Sequence, residues 1–393
     1  MLPAELYRVI SDNKKMETEL KIENLKIAIL VNLYYEDQVS FCRAYLERIP
    51  VYIDIFIISS KDEILHEFRE ERYQKVKKEN RGRDISALLI AAKDVIFRYQ
   101  YVCFVHDKRE REPDIKEYVN LWRRNLWDNM LQSDIYVYNL IGLLASDSKI
   151  GMFVPLPPHG KLSSVWLNGS WGDNYENMRN IADELNVNVD ICREDYLISY
   201  STVFWVKTQA LHKLYLREWK YSDFPDEPMK IDGEINHAIE RILQYIVEDA
   251  GYETKISLSS SFVGMFLEQL SSELKELWDR LDVTIGIKSY RQLDSAERIK
   301  KFRKKYADIY LYGNGKVGKE CMKICEIINI VPMGIIVTDP EKECNRIYNM
   351  PIIGIADFIP SKETGIIISV GKKYQLEVEE ELKKRKIESY ILF

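Results

Sequence analysis

The sequence predicts an α/β protein built from a larger sheet unit, a helical spacer and a second, smaller sheet unit. Short apolar, β-branched runs at residues 26–31 (KIAILV), 52–58 (YIDIFII) and 101–105 (YVCFV) alternate with segments of helical period. That alternation is the mark of parallel strands joined by right-handed crossovers. A second series of such runs (DIYLYG, MGIIVT, PIIG, GIIISV, SYIL) begins near Ala307, after a charged stretch of helical period. At 393 residues the chain is also longer than one core usually organises.

In order, residues 5–23 carry a polar amphipathic pattern that predicts a leading helix, giving an N-terminal segment 1–24. The run at 26–31 is too short and too β-branched for a helix and predicts a buried strand. It ends in NLYYED (32–37), and the next helix sets Val39, Cys42 and Leu46 on one stripe before Pro50 closes it. Residues 52–58 and 73–77 predict two further strands. After Asp84, the positions Ile85, Leu88, Leu89, Ala92 and Ile96 fall on one helical face. The strand at 101–105 would then lie centrally. A helix over 114–132 carries Trp122 and Trp127, and a strand at 150–154 opens into a Pro- and Gly-rich region holding Trp166 and Trp171. STVFWV (201–206) returns to the sheet, a helix carries Leu211, Leu214 and Leu216, and a strong helix covers 232–249. Together these outline a sheet domain over 25–260, a helical spacer over 261–305 and a second domain over 306–393.

Hydrophobic residues make up 46% and charged residues 30% of the chain, the balance of a globular protein. A formal charge of -6 argues against a nucleic-acid binder, and the basic stretches are interleaved with Glu as solvated faces are. No apolar run approaches the roughly 20 residues of a membrane span, and the first twenty residues lack the basic-then-apolar form of a signal peptide. Six cysteines at 42, 103, 192, 321, 325 and 344 show neither CxxC spacing nor a disulfide framework. The expected location is cytoplasmic.

Four constellations carry chemistry, and each has a structural reading beside the functional one. Asn80-Arg81-Gly82-Arg83-Asp84 sits between a strand and a helix. Its amide and carboxylate can bond a base or ribose and its arginines can pair with phosphate, or Asp84 caps the next helix and Gly82 makes the turn. His106-Asp107-Lys108 ends an apolar strand. There a carboxylate can hold a divalent metal on a diphosphate and a lysine can neutralise phosphate, or the chain is simply surfacing. Asp232, Asn236 and Glu240 share the polar face of the helix in DGEINHAIER, where an acid can serve as general base or as an N-cap. Gly313-Asn314-Gly315-Lys316-Val317-Gly318 matches GxGxxG between a strand and a helix, with Asp339 beyond the next strand where a ribose-binding acid sits. The domain behind it has the size of half a dinucleotide fold, so a small nucleotide-binding or purely structural Rossmann-like module is expected rather than a dehydrogenase.

The order NLYYED, NRGRDIS, YQYVCFVHDK, STVFWVKTQAL and DGEINHAIER resembles the rhamnan synthesis protein F family over roughly residues 25–255. The resemblance implies a glycosyltransferase-like protein of bacterial cell-surface polysaccharide synthesis, with a fold similar to the nucleotide-diphospho-sugar transferases. On that comparison Asn80, Gly82, Arg83 and Asp84 would lie at the donor nucleotide, and His106, Asp107 and Lys108 at its diphosphate. Asp232, or in second place Glu227, would be the base that deprotonates the acceptor sugar. Trp166 and Trp171 would stack on the acceptor, or be core residues. A divalent metal, Mg or Mn, would involve Asp107 and His237 as weak candidate ligands. The family's strand end reads His-Thr-Lys, whereas this chain has Asp107 in the middle and one carboxylate where Asp-x-Asp signatures have two, which makes Lys108 a candidate for direct phosphate neutralisation. The resemblance implies transfer of a deoxysugar, rhamnose from a dTDP-linked donor, to a glycan or lipid-linked glycan at the inner face of the cell membrane. Other polysaccharide-assembly enzymes would be its partners. Two other classes stand beside this one: a non-catalytic nucleotide-sugar or partner-binding protein, and an oxidoreductase using Gly313, Gly315, Gly318 and Asp339.

Overall fold

The structure, a computed structural model, describes residues 4–109, 116–158, 171–193, 195, 197–230, 232–285, 287, 289–340, 346–347 and 350–393. The chain forms two compact units, Met1–Leu267 and Glu268–Phe393.

In the first unit the elements run β1 (Tyr7–Ile10), β2 (Ile27–Asn32), α1 (Val39–Leu46), β3 (Asp54–Ser59), α2 (Asp62–Glu67), β4 (Tyr73–Lys77), α3 (Arg83–Ser86) and α4 (Lys93–Ile96). They continue through β5 (Tyr101–His106), α5 (Lys116–Leu131), α6 (Asp134–Ser146), β6 (Ile150–Val154), α7 (Tyr175–Glu184), β7 (Phe204–Lys207), α8 (Ile235–Asp249) and β8 (Glu253–Ser259). The strands form one eight-stranded sheet in the order β1-β8-β6-β7-β5-β2-β3-β4. Helices cover both faces. In β2, Ala28 and Leu30 face the core shared with Ile85, Leu88, Ile239 and Ile242, while Ile27, Ile29 and Val31 face the core shared with Cys42, Leu46, Trp122 and Trp127. A strand buried on both faces has no polar positions to alternate with, so residues 27–31 are apolar throughout.

The predicted helix after Asp84 is present with its whole expected face buried, but a π-helical turn, Ala87–Ala91, interrupts it between α3 and α4. Two expectations are corrected. Instead of the leading amphipathic helix over residues 5–23, the described N-terminus has a 3-10 turn, Ala4–Leu6, followed by β1, which pairs in parallel with β8 through Tyr7↔Ile256. Its hydrogen-bond partners lie some two hundred and fifty residues away, so local period could not reveal it. The sheet is also mixed: β7 runs antiparallel to β5 and to β6, and the segment after it, Thr208–Tyr215, is a 3-10 helix that leaves Leu216 exposed.

A long helix, α9 (Ser260–Ile285), carries the boundary between the units. The second unit continues with α10 (Tyr290–Arg303), β9 (Asp308–Tyr312), α11 (Lys316–Ile327), β10 (Gly334–Val337), β11 (Arg346–Ile347), β12 (Met350–Gly354), β13 (Thr364–Ile368), α12 (Lys372–Lys384) and β14 (Tyr390–Leu392). Its sheet runs β11-β12-β10-β9-β13-β14, with β9, β10, β12, β13 and β14 parallel. The segment read as a spacer contributes Ala296, Ile299 and Phe302 of α10 to this unit's core.

Candidate functional site

In a doubly wound sheet, ligands bind beyond the carboxyl ends of the strands where the strand order reverses. In the first unit the chain leaves β2 toward β3 and β4, then returns to place β5 on the other side of β2. The reversal therefore falls between the ends of β2 and β5, at Asn32–Tyr35 and His106–Lys108.

Asp107 ties these two ends together. Its Oδ2 accepts backbone hydrogen bonds from Tyr34 (2.7 Å) and Tyr35 (2.6 Å), and its own N–H donates to the Asn32 carbonyl (3.2 Å). The side chain is buried, and that burial pushes its carboxyl up to about 6 against the pull of the two amides and of His106. Both ring nitrogens of His106 face carbonyl oxygens, Nδ1 that of Asp107 (2.7 Å) and Nε2 that of Ser201. A neutral imidazole donates from only one nitrogen. Ser201 and Thr202 are consecutive residues with left-handed φ, 76° and 48°. Such a pair in non-glycine residues costs energy that the surrounding contacts must supply.

The loop before α3 lies against Phe224 and the start of α8. Gly82 has φ 71°, and a Cβ there would lie 2.7 Å from the Ser86 Cβ and 2.8 Å from the Phe224 ring, so only glycine fits. Gly82 itself occupies the N-cap position and Asp84 lies inside the first turn with no capping bond. Asp84 is therefore not the cap that its position suggested. Arg83 pairs with both oxygens of Glu227 (3.0 and 3.3 Å), Arg81 Nε donates to the Phe224 carbonyl (2.6 Å), and Asn236 Nδ2 donates to the Gly82 carbonyl (2.7 Å). Asn80 is exposed. Beneath the loop lies Lys78, whose ammonium donates to the Glu79 carbonyl (2.8 Å); burial pushes it down to about 8 while Asp84 and Glu227 oppose that shift.

The third wall is the N-terminal half of α8. Asp232, just ahead of it, accepts from Asn174 Nδ2 (2.5 Å), from the Asp173 N–H (3.1 Å) and from Arg241 (3.4 Å). Burial opposes its charge, but these donors outweigh burial and hold the carboxyl below the usual range. Burial, then the Arg241 guanidinium, keeps His237 on the neutral side of its ordinary value, with Nδ1 3.9 Å from Asp232 Oδ1. Burial raises the Glu240 carboxyl; Arg241, Lys108 and His106 pull it back, and Asp84 adds to the rise. Asp84, His106 and Lys108 thus lie near enough to α8 to act on Glu240 electrostatically. Four of its neighbours have buried atoms with no hydrogen-bond partner among the described residues: Asn174 Oδ1, Asn236 Oδ1, His237 Nδ1 and Arg241 Nε.

The fold thus gathers Gly82, Arg83, Asp84, His106, Asp107, Lys108, Asp232 and His237. It does not make Trp171 an acceptor platform. That side chain is 4% exposed, stacks on Tyr245 and donates from its indole N–H to the Arg193 carbonyl (3.1 Å). Trp166 lies outside the described residues. Glu227, the second candidate base, pairs with Arg83 through both carboxylate oxygens. No three His, Cys, Asp or Glu side chains among the described residues come together as metal ligands. With Asp107 Oδ2 on two amides and both His106 nitrogens on carbonyls, the strand end does not fit a protein-held divalent ion. Lys78 and Arg241 escaped the sequence reading. Arg241 adjoins Glu240 in the segment already singled out, whereas nothing local distinguishes Lys78 from its neighbours in KVKKEN.

The second unit has its own reversal, between β9 and β13. Gly313 has φ 108° and a Cβ there would meet Val370 at 2.5 Å; a Cβ on Gly318 would lie 2.2 Å from the Gly313 carbonyl oxygen. Gly315 and Gly371 precede α11 and α12, neither with a side-chain cap, and Asp339 follows β10. Gly313 and Gly318 have a packing reason, a Cβ on Gly315 would meet nothing within 4 Å, and the two helix starts leave N–H groups of the kind that bind anions.

Fold and site define a class: an α/β protein of two Rossmann-like sheets, with a cluster of buried polar side chains near the switch point of the first. The family model of rhamnan synthesis protein F matches residues 2–252, and the chain belongs to that family. Membership carries a role in rhamnan polysaccharide synthesis. The chain is also similar to the uncharacterized protein WxcX of Xanthomonas campestris pv. campestris (strain B100), at 27% identity over 176 residues, 44% of this chain and 24% of that protein. The match spans about a quarter of that curated relative's length. No helix among the described residues is long and apolar enough to cross a membrane.

Proposed function

We propose that the chain is a glycosyltransferase of nucleotide-diphospho-sugar transferase type that moves a deoxysugar, rhamnose from a dTDP-linked donor, onto a growing cell-surface glycan. Family membership supports the pathway. The observation that carries the reaction is the set of buried, unspent polar atoms on Asn174, Asn236, His237 and Arg241 around Asp232, at the strand ends where the sheet reverses. Buried polar groups are nearly always paired, and this set of donors and acceptors suits the hydroxyls of a sugar.

In this reading the loop from Asn80 to Asp84 holds the nucleoside, and Lys108 neutralises the diphosphate as its bond to the anomeric carbon breaks. An acceptor hydroxyl oxygen attacks that carbon, and its proton passes to the Asp232 carboxylate. Asp232 is ionised at neutral pH, which a base requires. Its lowered pKa makes it a weak base, so proton transfer comes late, when attack has made the hydroxyl acidic. Since the strand end does not fit a protein-held ion, no step is routed through a metal. The same engagement of Asp232 by several donors favours a second reading, a non-catalytic protein that binds the nucleotide-sugar. The Asp232→Asn variant separates them: with dTDP-rhamnose and a lipid-linked acceptor, wild-type protein transfers label and the variant binds donor with near-normal affinity but does not transfer. Transfer surviving in the variant moves the base elsewhere; donor binding without turnover by wild-type protein supports the second reading.

A further inference from the structure

Helix α9 exposes an apolar seam that neither unit's core uses. Leu270, Leu274 and Leu277 are 41%, 52% and 52% exposed, and the same spacing begins at Leu267, which is 60% exposed. Steps of three, four and three residues give the 3.5-residue repeat of a helix that packs on another helix. Trp278, one position beyond Leu277, packs against the second unit's core, while the leucines of the stripe beside it stay exposed. A large exposed apolar stripe on a soluble surface marks an interaction site.

The charges beside the seam select the occupant. Over residues 260–285 there are five acidic side chains and two basic ones, which repels an anionic membrane surface. With Leu267 and Leu274 at a positions, Glu273 and Arg280 take g positions. In a parallel pair, g residues meet e residues five positions on, so Glu273 would meet Trp278 and gain no opposite charge. In an antiparallel pair, g meets g. If Leu274 of one copy packs against Leu277 of the other, Glu273 of each copy falls beside Arg280 of its partner, twice by symmetry. A shift by one heptad sets Glu273 against Glu273 instead, so charge specifies the register. In the single chain Glu273 accepts from Gln269 (2.9 Å) and Arg280 pairs with Glu276, exposed contacts that exchange at little cost.

We propose that the α9 seam binds the same seam of a second copy of this chain, antiparallel, with reciprocal Glu273–Arg280 pairs. This goes beyond the glycosyltransferase reading and does not depend on it. Sedimentation velocity of the full chain over roughly 1–100 µM, the range in which a small helical interface associates, should show a monomer–dimer equilibrium. Leu270→Glu with Leu274→Glu should give a monomer whose circular dichroism and melting match wild type, because both side chains are half exposed. Glu273→Arg and Arg280→Glu should each weaken the dimer, by roughly tenfold or more, and the double exchange should restore it. A wild-type monomer throughout the range overturns the proposal. So does a double exchange that stays weak, or binding to phosphatidylcholine vesicles that the leucine changes abolish.

Discussion

Asp107 offers the sharpest test of the site's physics, because its carboxylate is held at a cost. Burial raises it from 3.8 to about 6, and a rise of that size is worth about 3 kcal/mol. The folded state binds the proton more tightly than the unfolded chain does, so stability falls as pH rises through the interval between those values and stays lower above it. Asparagine mimics the protonated side chain and keeps an oxygen for the Tyr34 and Tyr35 amides. Asp107→Asn should therefore be more stable than wild type, by on the order of 1–2 kcal/mol at pH 5, growing to a few kcal/mol at pH 8. Denaturant titration followed by tryptophan fluorescence measures the difference, with Trp127 reporting from its bond to the His106 carbonyl (3.2 Å). A difference that does not vary with pH, or a destabilised variant, refutes the reasoning. A gain of this size would also identify the charge as one retained for function against stability.

Two further outcomes follow from the same site. Gly82→Ala forces a Cβ into the left-handed region against Ser86 and Phe224; backbone strain and overpacking together should cost about 2–5 kcal/mol, read by thermal melting, and a loss below about 0.5 kcal/mol would mean that the loop re-forms. The raised Glu240 carboxyl becomes charged beside Lys108 as pH rises and then competes with a diphosphate for that lysine. Donor affinity by calorimetry should fall with rising pH in wild type and lose that dependence in Glu240→Gln; a shared pH profile would remove Glu240 from the site.

What the sequence alone determined is what neighbouring residues decide. The apolar runs at 27–31 and 101–105 become β2 and β5 because strands buried on both faces leave few polar positions. The face Ile85, Leu88, Leu89, Ala92 and Ile96 follows from helical period. Gly82 and the Gly313–Gly318 spacing mark places where backbone or side chains approach too closely for a Cβ. Family resemblance was legible through the same local segments.

Tertiary structure decided the rest, because those features depend on partners far along the chain. β1 exists through β8, and β7 reverses direction between β5 and β6. Trp171 is core because Tyr175 and Tyr245 enclose it, and Asp107 meets two amides of the β2 end. Lys78 and Arg241 acquire meaning only when Asp84, Asp232 and Glu240 are folded beside them, since a charge is perturbed by what surrounds it in space and by the water it loses.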